Sequence, residues 1–210
     1  KGVLFLDELP EFKRAALEVL RQPLEAHKIC ISRVSGTYEF PADFLLVGAM
    51  NPCPCGYYPD RNRCSCTQHQ VEQYLGKLSG PLLDRFDLCT EVADIPAKVL
   101  RTQKKGKTSL QLRQEICRVH EIQRQRYEGT GIRFNSALSG KEIEQYCQVS
   151  KKGKKLLEAA YEKMNLSIRA YHKILKTART IADLDSQGTI EEEHLSLIHI
   201  SEPTRRRGIS

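Results

Sequence analysis

Val3-Leu4-Phe5-Leu6 is an uninterrupted apolar run stopped by Asp7-Glu8, and residues 44–50 repeat the pattern, a second apolar run stopped by Asn51. Alternation would mark a strand with one wet face, whereas continuous runs this short mark strands buried on both faces. Such strands belong to parallel α/β sheets, because the crossover connections lay helices over both sides. Between the two runs, Phe12, Ala16, Leu17, Leu20 and Leu24 are spaced helically over 12–26, with Pro23 set to kink or loosen the last turn. Residues 29–40 alternate around Ser35-Gly36 and predict a β-hairpin closed by Pro41. The predicted order is strand, helix, hairpin, strand.

Farther along, 68–78 reads as a helix, 79–87 as a turn followed by one helical turn, and 88–92 as a further strand. Residues 96–109 carry Lys98, Arg101, Lys104, Lys105 and Lys107 with little apolar content, which predicts a linker. Beyond it the periods are helical only, over 110–127, 139–148, 151–164 and 167–184, with another helix begun at 190–194. The fold class expected is therefore α/β for 1–95, followed by an all-α domain over 110–194. A chain of 210 residues, 40% of them hydrophobic, is long enough for two such cores. It has no run of about 18 apolar residues and no charged-then-apolar leader, which predicts a cytoplasmic protein with no membrane partner. The chain opens on Lys1 inside a strand, so its start reads as cut. Residues 195–205, "LSLIHISEPTR", resemble a translated sequencing-adapter oligonucleotide, and Leu195 to Ser210 are set aside from fold reasoning. Arg205, Arg206 and Arg207 against Glu202 supply two of the seven net positive charges. The remaining basic excess suits an anionic partner without naming one.

In open α/β sheets ligands bind at the carboxyl ends of strands, where Asp7, Glu8 and Asn51 all fall. An acidic pair there can partner Mg²⁺ and activate water, and an amide on the adjacent strand can orient that water. The same pair also suits a plain helix N-terminus, where the dipole favours acids. Further parts follow in order. "GVLFLDELPEF", "ISRVSGTYEFPADFLLVGAMNPCPCG", "LSGPLLDRFDL" and "LSIRAYHKILKTARTIADL" resemble the Walker B strand, the pre-sensor-1 hairpin with sensor 1, the arginine-finger segment and the sensor-2 helix of the magnesium-chelatase-like ComM/YifB branch of AAA+ ATPases.

The resemblance implies the C-terminal half of an AAA+ core with a helical lid, from a ring-forming ATPase, a hexamer in related motors. It implies ATP and Mg²⁺ as cofactors and DNA as partner, with helicase or branch-migration work in recombination or natural transformation. Asp7 would bind Mg²⁺ through water, Glu8 polarise the hydrolytic water, Asn51 act as sensor 1, Arg85 reach a neighbouring subunit's γ-phosphate, and Arg169 act as sensor 2 with the nucleotide. In "DRFD", Arg85 also fits a local ion pair, and Arg169 a solvated helix position. A P-loop, G-x-x-x-x-G-K-[ST], is absent: Gly106-Lys107-Thr108 ends such a motif, but position 101 is Arg. The chain alone is therefore expected to bind ATP poorly and to hydrolyse none.

Cys53-x-Cys55 and Cys64-x-Cys66 are two close pairs around a polar loop, and four thiolates can close a tetrahedral Zn²⁺ site. Free thiols and disulfides are the alternatives, the latter disfavoured in a reducing compartment. Cys30, Cys89, Cys117 and Cys147 lie singly and read as small packing residues. In related hexameric motors the hairpin points into the pore, where Lys28 and Arg33 would meet nucleic-acid phosphates, with Tyr38 or Tyr57 stacking on bases. A merely structural hairpin fits as well. Two other functions stay open: a chelatase-like or MoxR-like ATPase that remodels a protein, and a non-catalytic, zinc-stabilised binding module.

Overall fold

A computed structural model describes residues 2–92 and 106–200. Most of the predicted linker, with Lys98, Arg101, Lys104 and Lys105, lies outside the described residues, as does 201–210. The chain divides into two compact units between Phe86 and Asp87.

In the first unit, β1 (Gly2–Leu6) pairs in parallel with β4 (Phe44–Gly48), in register from Gly2↔Phe44 to Leu6↔Gly48. β2 (Lys28–Arg33) and β3 (Gly36–Pro41) form the antiparallel hairpin. Arg33 pairs with Gly36, so the two-residue turn is Val34-Ser35, one residue earlier than the alternation suggested. The predicted helix over 12–26 is broken into α1 (Arg14–Val19) and α2 (Arg21–Ala26). Pro23 supplies no N–H to the carbonyl of Val19, four residues back, so the break falls before the proline rather than in the last turn. α3 (Gln68–Leu75) starts from a reciprocal cap between Thr67 and Gln70, and α4 (Gly80–Leu83) from the Ser79 hydroxyl. Residues 88–92 form no strand; Leu88 and Val92 are exposed and pair with no other described strand.

Burial of β1 and β4 on both faces is not what the structure shows. Leu6 packs with Leu20, Leu83 and Phe86 on a cluster of Leu9, Leu17, Leu78 and Leu82, which covers one face. Val3 and Phe5 lie opposite Leu45 and Val47 on the other, and are 69%, 59%, 62% and 38% exposed.

The second unit is helical: α5 (Ser109–Arg126), α6 (Gly140–Tyr146), α7 (Lys151–Met164), α8 (Ile168–Leu184) and α9 (Glu192–Ile200). The four predicted full-length helices agree with the first four of these to within two residues at each end. Tyr127, Ile143, Leu157, Leu175, Ala178 and Ile190 are among the residues that fill its core. Gly153 lets α7 close on its neighbours, since a Cβ there would stand 2.7 Å from Val149 Cγ1 and 3.3 Å from Leu195 Cδ1. A buried polar knot ties the helices. Asp183 accepts from Arg126, from Asn135 Nδ2 at 2.9 Å and from Arg179 Nε at 3.1 Å, while Arg179 also donates to the carbonyls of Gln187 and Gly188. Setting 195–210 aside from fold reasoning needs correction for its first residues. Leu195 and Ile198, one helical turn apart, continue the helix begun at Glu192 and are buried in this core.

Candidate functional site

At the carboxyl end of the β1–β4 pair the ladder runs on: Ala49 N donates to Leu6 O and Leu9 N to Ala49 O, each at 2.9 Å. Asp7 and Glu8 therefore stand beside the Ala49–Asn51 segment, and the structure brings these three predicted residues to one end of the sheet. Both carboxylates are exposed. Asp7 Oδ1 accepts from Glu8 N at 2.9 Å. Glu8 holds φ 51°, ψ 46°, a left-handed conformation that costs a side-chain-bearing residue of order 1–3 kcal/mol. Backbone strain of this kind concentrates at functional sites, which makes Glu8 a candidate for one.

Sequence reasoning missed Tyr74. Its phenol lies within hydrogen-bonding reach of the Asn51 backbone and is raised above the ordinary tyrosine value by burial first and by Glu11 second. It links α3 to the segment after β4. Period alone marked Tyr74 only as a helix residue; the Thr67-x-x-Gln70 capping box was the readable sign that a helix begins there.

Arg85 is 10% exposed at its side chain and is held within its own unit. It forms an ion pair with Glu25 of α2 and donates through Nη1 to Pro81 O at 2.9 Å. The recorded ion-pair partner, Glu25, lies sixty residues away in the sequence, beyond the local acids that "DRFD" suggested. The neighbouring Ser79 hydroxyl donates to Glu18, whose carboxylate also binds Arg21 Nη1 at 2.8 Å and is lowered by both. Arg169 lies in the other unit, exposed, at the second position of α8, whose N-cap is Ser167 as the sequence predicted. Gly106-Lys107-Thr108 has local employment: Lys107 Nζ bonds Glu115 at 2.7 Å and Thr108 caps α5.

The hairpin has two unlike faces. Lys28 is engaged by Glu39 at 2.8 Å, which raises the lysine and lowers the glutamate, and Ser32 meets Thr37 beyond them. Arg33 shares the other face with Ile29, Ile31, Tyr38 and Phe40, all exposed.

The cysteine loop is the most sharply built part of this unit. The sulfurs of Cys53, Cys55, Cys64 and Cys66 all lie within 4.8 Å of one another, and Cys53 is wholly buried. Cys53–Cys55, Cys55–Cys64 and Cys53–Cys64 are 3.4, 3.6 and 3.8 Å apart. A tetrahedron with Zn–S of about 2.3 Å has edges of about 3.8 Å, so the donor set fits Zn²⁺ in type, number and spacing. Tyr58 N donates to Cys53 Sγ at 3.4 Å, the outer-shell contact a thiolate ligand needs. The Tyr57 backbone pulls the Cys55 thiol down to about 6, with the other three thiols assisting. Burial raises Cys64. At Cys66 the Cys55 backbone lowers, but burial and the neighbouring sulfurs outweigh it and push the thiol up to about 11. Gly56 at φ +84° makes the reversal between the pairs. Asp60 closes the rest, its carbonyl accepting from Cys64 N at 2.8 Å and its Oδ1 from Asn62 N at 3.0 Å. Among the single cysteines, Cys147 is buried and Cys30 and Cys89 are half-buried, as expected of packing residues, whereas Cys117 is exposed against that expectation.

Among the described residues, no helix is long and apolar enough to cross a membrane. Residues 1–100 match the family model for magnesium chelatase subunit ChlI, and residues 106–197 match the model for the ChlI C-terminal region. The competence protein ComM of Haemophilus influenzae is 48% identical over 196 residues, 93% of this chain and 38% of that protein. The YifB proteins of Escherichia coli and Salmonella typhimurium are 43% and 42% identical over 195 residues, 92% of this chain and 38% of theirs. The chain thus spans under two-fifths of the length of these relatives. Its two matched regions and this similarity across nearly its whole length show that it belongs to the magnesium-chelatase-like ComM/YifB family.

Proposed function

We propose that this chain is the C-terminal part of the AAA+ core, with its lid, of a ring-forming ATPase that moves DNA. The observation that carries the reading is Asp7-Glu8 and Asn51 at neighbouring parallel strand ends, with Glu8 locked in a left-handed turn. The exposed Asp7 carboxylate would hold Mg²⁺ through water, and the ion would supply charge neutralisation along the ATP phosphates. Glu8 would polarise the attacking water, Asn51 would orient it, and Arg169 would contact the nucleotide from the lid. Arg85 would leave Glu25 to serve a neighbouring subunit's site, where a permanently charged planar group suits transition-state charge. A structural Zn²⁺ at the four cysteines would fix the segment that follows Asn51.

Competence comes to this chain through the name of the ComM relative, and recombination through the family resemblance alone. The test is Glu8→Gln in the full-length protein: hydrolysis should fall about 100-fold or more while ATP binding persists. Unchanged hydrolysis removes Glu8 from the catalytic role, and a full-length parent that hydrolyses no ATP leaves the zinc-stabilised binding module. DNA binding that weakens with salt separates a DNA motor from a protein-remodelling one.

A further inference from the structure

We infer that the loop between the two cysteine pairs is a single-strand nucleic-acid contact surface, presenting two tyrosine–arginine stacks on a metal-anchored base. This rests on the DNA reading above and names a contact within it. The Arg63 guanidinium lies 4.2 Å from the centroid of the Tyr57 ring, and Arg61 lies 4.9 Å from that of Tyr58. Tyr57 is 45% exposed, and both arginines are exposed. Arg61 is steadied further by Gln68 at 2.9 Å, at the start of α3.

Significant cation–π pairs occur about once per 70–80 residues, and this loop holds two within eight. Their geometry suits a polyanion with flat bases: a ring face for stacking, a fixed cation beside it for phosphate. The loop's one acidic side chain, Asp60, has Oδ1 turned onto the Asn62 amide. The sulfur cluster holds both ends of the loop, so little order need be gained on binding. The hairpin is the poorer candidate, because Glu39 already engages Lys28 and leaves Arg33 as its remaining predicted cation.

The experiment measures anisotropy of a fluorescein-labelled oligo-dT strand with the zinc-loaded full-length protein across a salt series. Tyr57→Ala should weaken binding about 5- to 100-fold, and Tyr57→Phe should restore it. Arg63→Gln, which leaves the ring in place, should lower the salt slope by about one. Zinc content equal to the parent's certifies that each variant keeps its loop. Parent-like binding by Tyr57→Ala and Arg63→Gln, with loss in Arg33→Ala, overturns the inference and keeps the DNA reading on the hairpin. No binding by the full-length parent overturns both.

Discussion

Val3 and Phe5 in the first unit and Leu157 and Leu175 in the second are equally apolar, yet the first pair is exposed and the second buried. The helical unit closes on itself: its core is filled, and Arg126, Arg179 and the Asn135 amide all donate to the buried Asp183. The sheet unit covers one face with Leu9, Leu17, Leu78 and Leu82 and leaves the other open. Besides that cluster it has four gathered sulfurs, one reciprocal cap and ion pairs, of which Arg85–Glu25 reaches across sixty residues. The proposed water-activating residues and the proposed anchoring by metal thus fall in the unit that has less core to hold it.

The largest test of that contrast is removal of the metal. Structural zinc is worth about 10–16 kcal/mol in small zinc modules, so chelation or Cys64→Ser should free residues 52–67 and loosen α3. Hydrogen exchange should rise sharply over 53–75 and stay unchanged over 140–184. Equal loss in both regions would show that the units fold as one.

The converse perturbation is Asp183→Ala. Removing one member of a buried charge cluster leaves Arg179 uncompensated and should cost about 3–5 kcal/mol, read as a lower thermal midpoint of the helical unit with zinc content unchanged. Burial opposes the Asp183 charge, but hydrogen bonds from Arg126 and Asn135 outweigh it and hold its pKa below the ordinary aspartate value. A depressed folded-state pKa gives stability that is fully present above the unfolded value, about 3.9, and lost as pH falls through the folded one. The thermal midpoint's Asp183-dependent part should therefore be flat from neutrality to about pH 4 and decline only below it. Decline already at pH 6 would point to another group.

Next comes a paired truncation. Leu175→Ala should destabilise by about 2–5 kcal/mol, as cavities in filled cores do, and Phe5→Ala by about 0.5 kcal/mol or less. A large Phe5 effect in chemical denaturation would mean that the open face is covered in solution.

The same contrast explains what the sequence could and could not reveal. Helices in the second unit were legible because each buries a stripe against the others, and that need is written in a 3.6-residue period. β1 and β4 were legible as strands from their short continuous apolar runs, but such a run records what side chains favour rather than what lies over them. Exposure of Val3 and Leu45 was therefore invisible. The break at Leu20 was readable from Pro23, had the carbonyl four residues back been asked for its donor. Lys28–Glu39 follows from hairpin register: Cys30 faces Glu39, which places Lys28 diagonally beside it. Cysteine spacing left the metal open, and the sulfur distances narrow it. Arg85–Glu25 spans sixty residues and has no local signature.

That last pair sets the smallest and most discriminating test. If Arg85 only ties α4 to α2, then Arg85→Ala and Glu25→Ala should destabilise the first unit similarly, and the double variant should show coupling of about 0.5–1 kcal/mol, modest because Glu25 is partly exposed. If Arg85 also works in trans, full-length ATPase activity should fall in Arg85→Ala and persist in Glu25→Ala, because only the first removes the guanidinium from the site. Glu25→Ala then becomes informative by itself, since it removes the ion pair and leaves Arg85 with its bond to Pro81 O. Activity equal to or above the parent's says that the tether is a resting position. Activity lost in step with Arg85→Ala says that the pair acts as a structural unit, and the role of finger must pass to another residue.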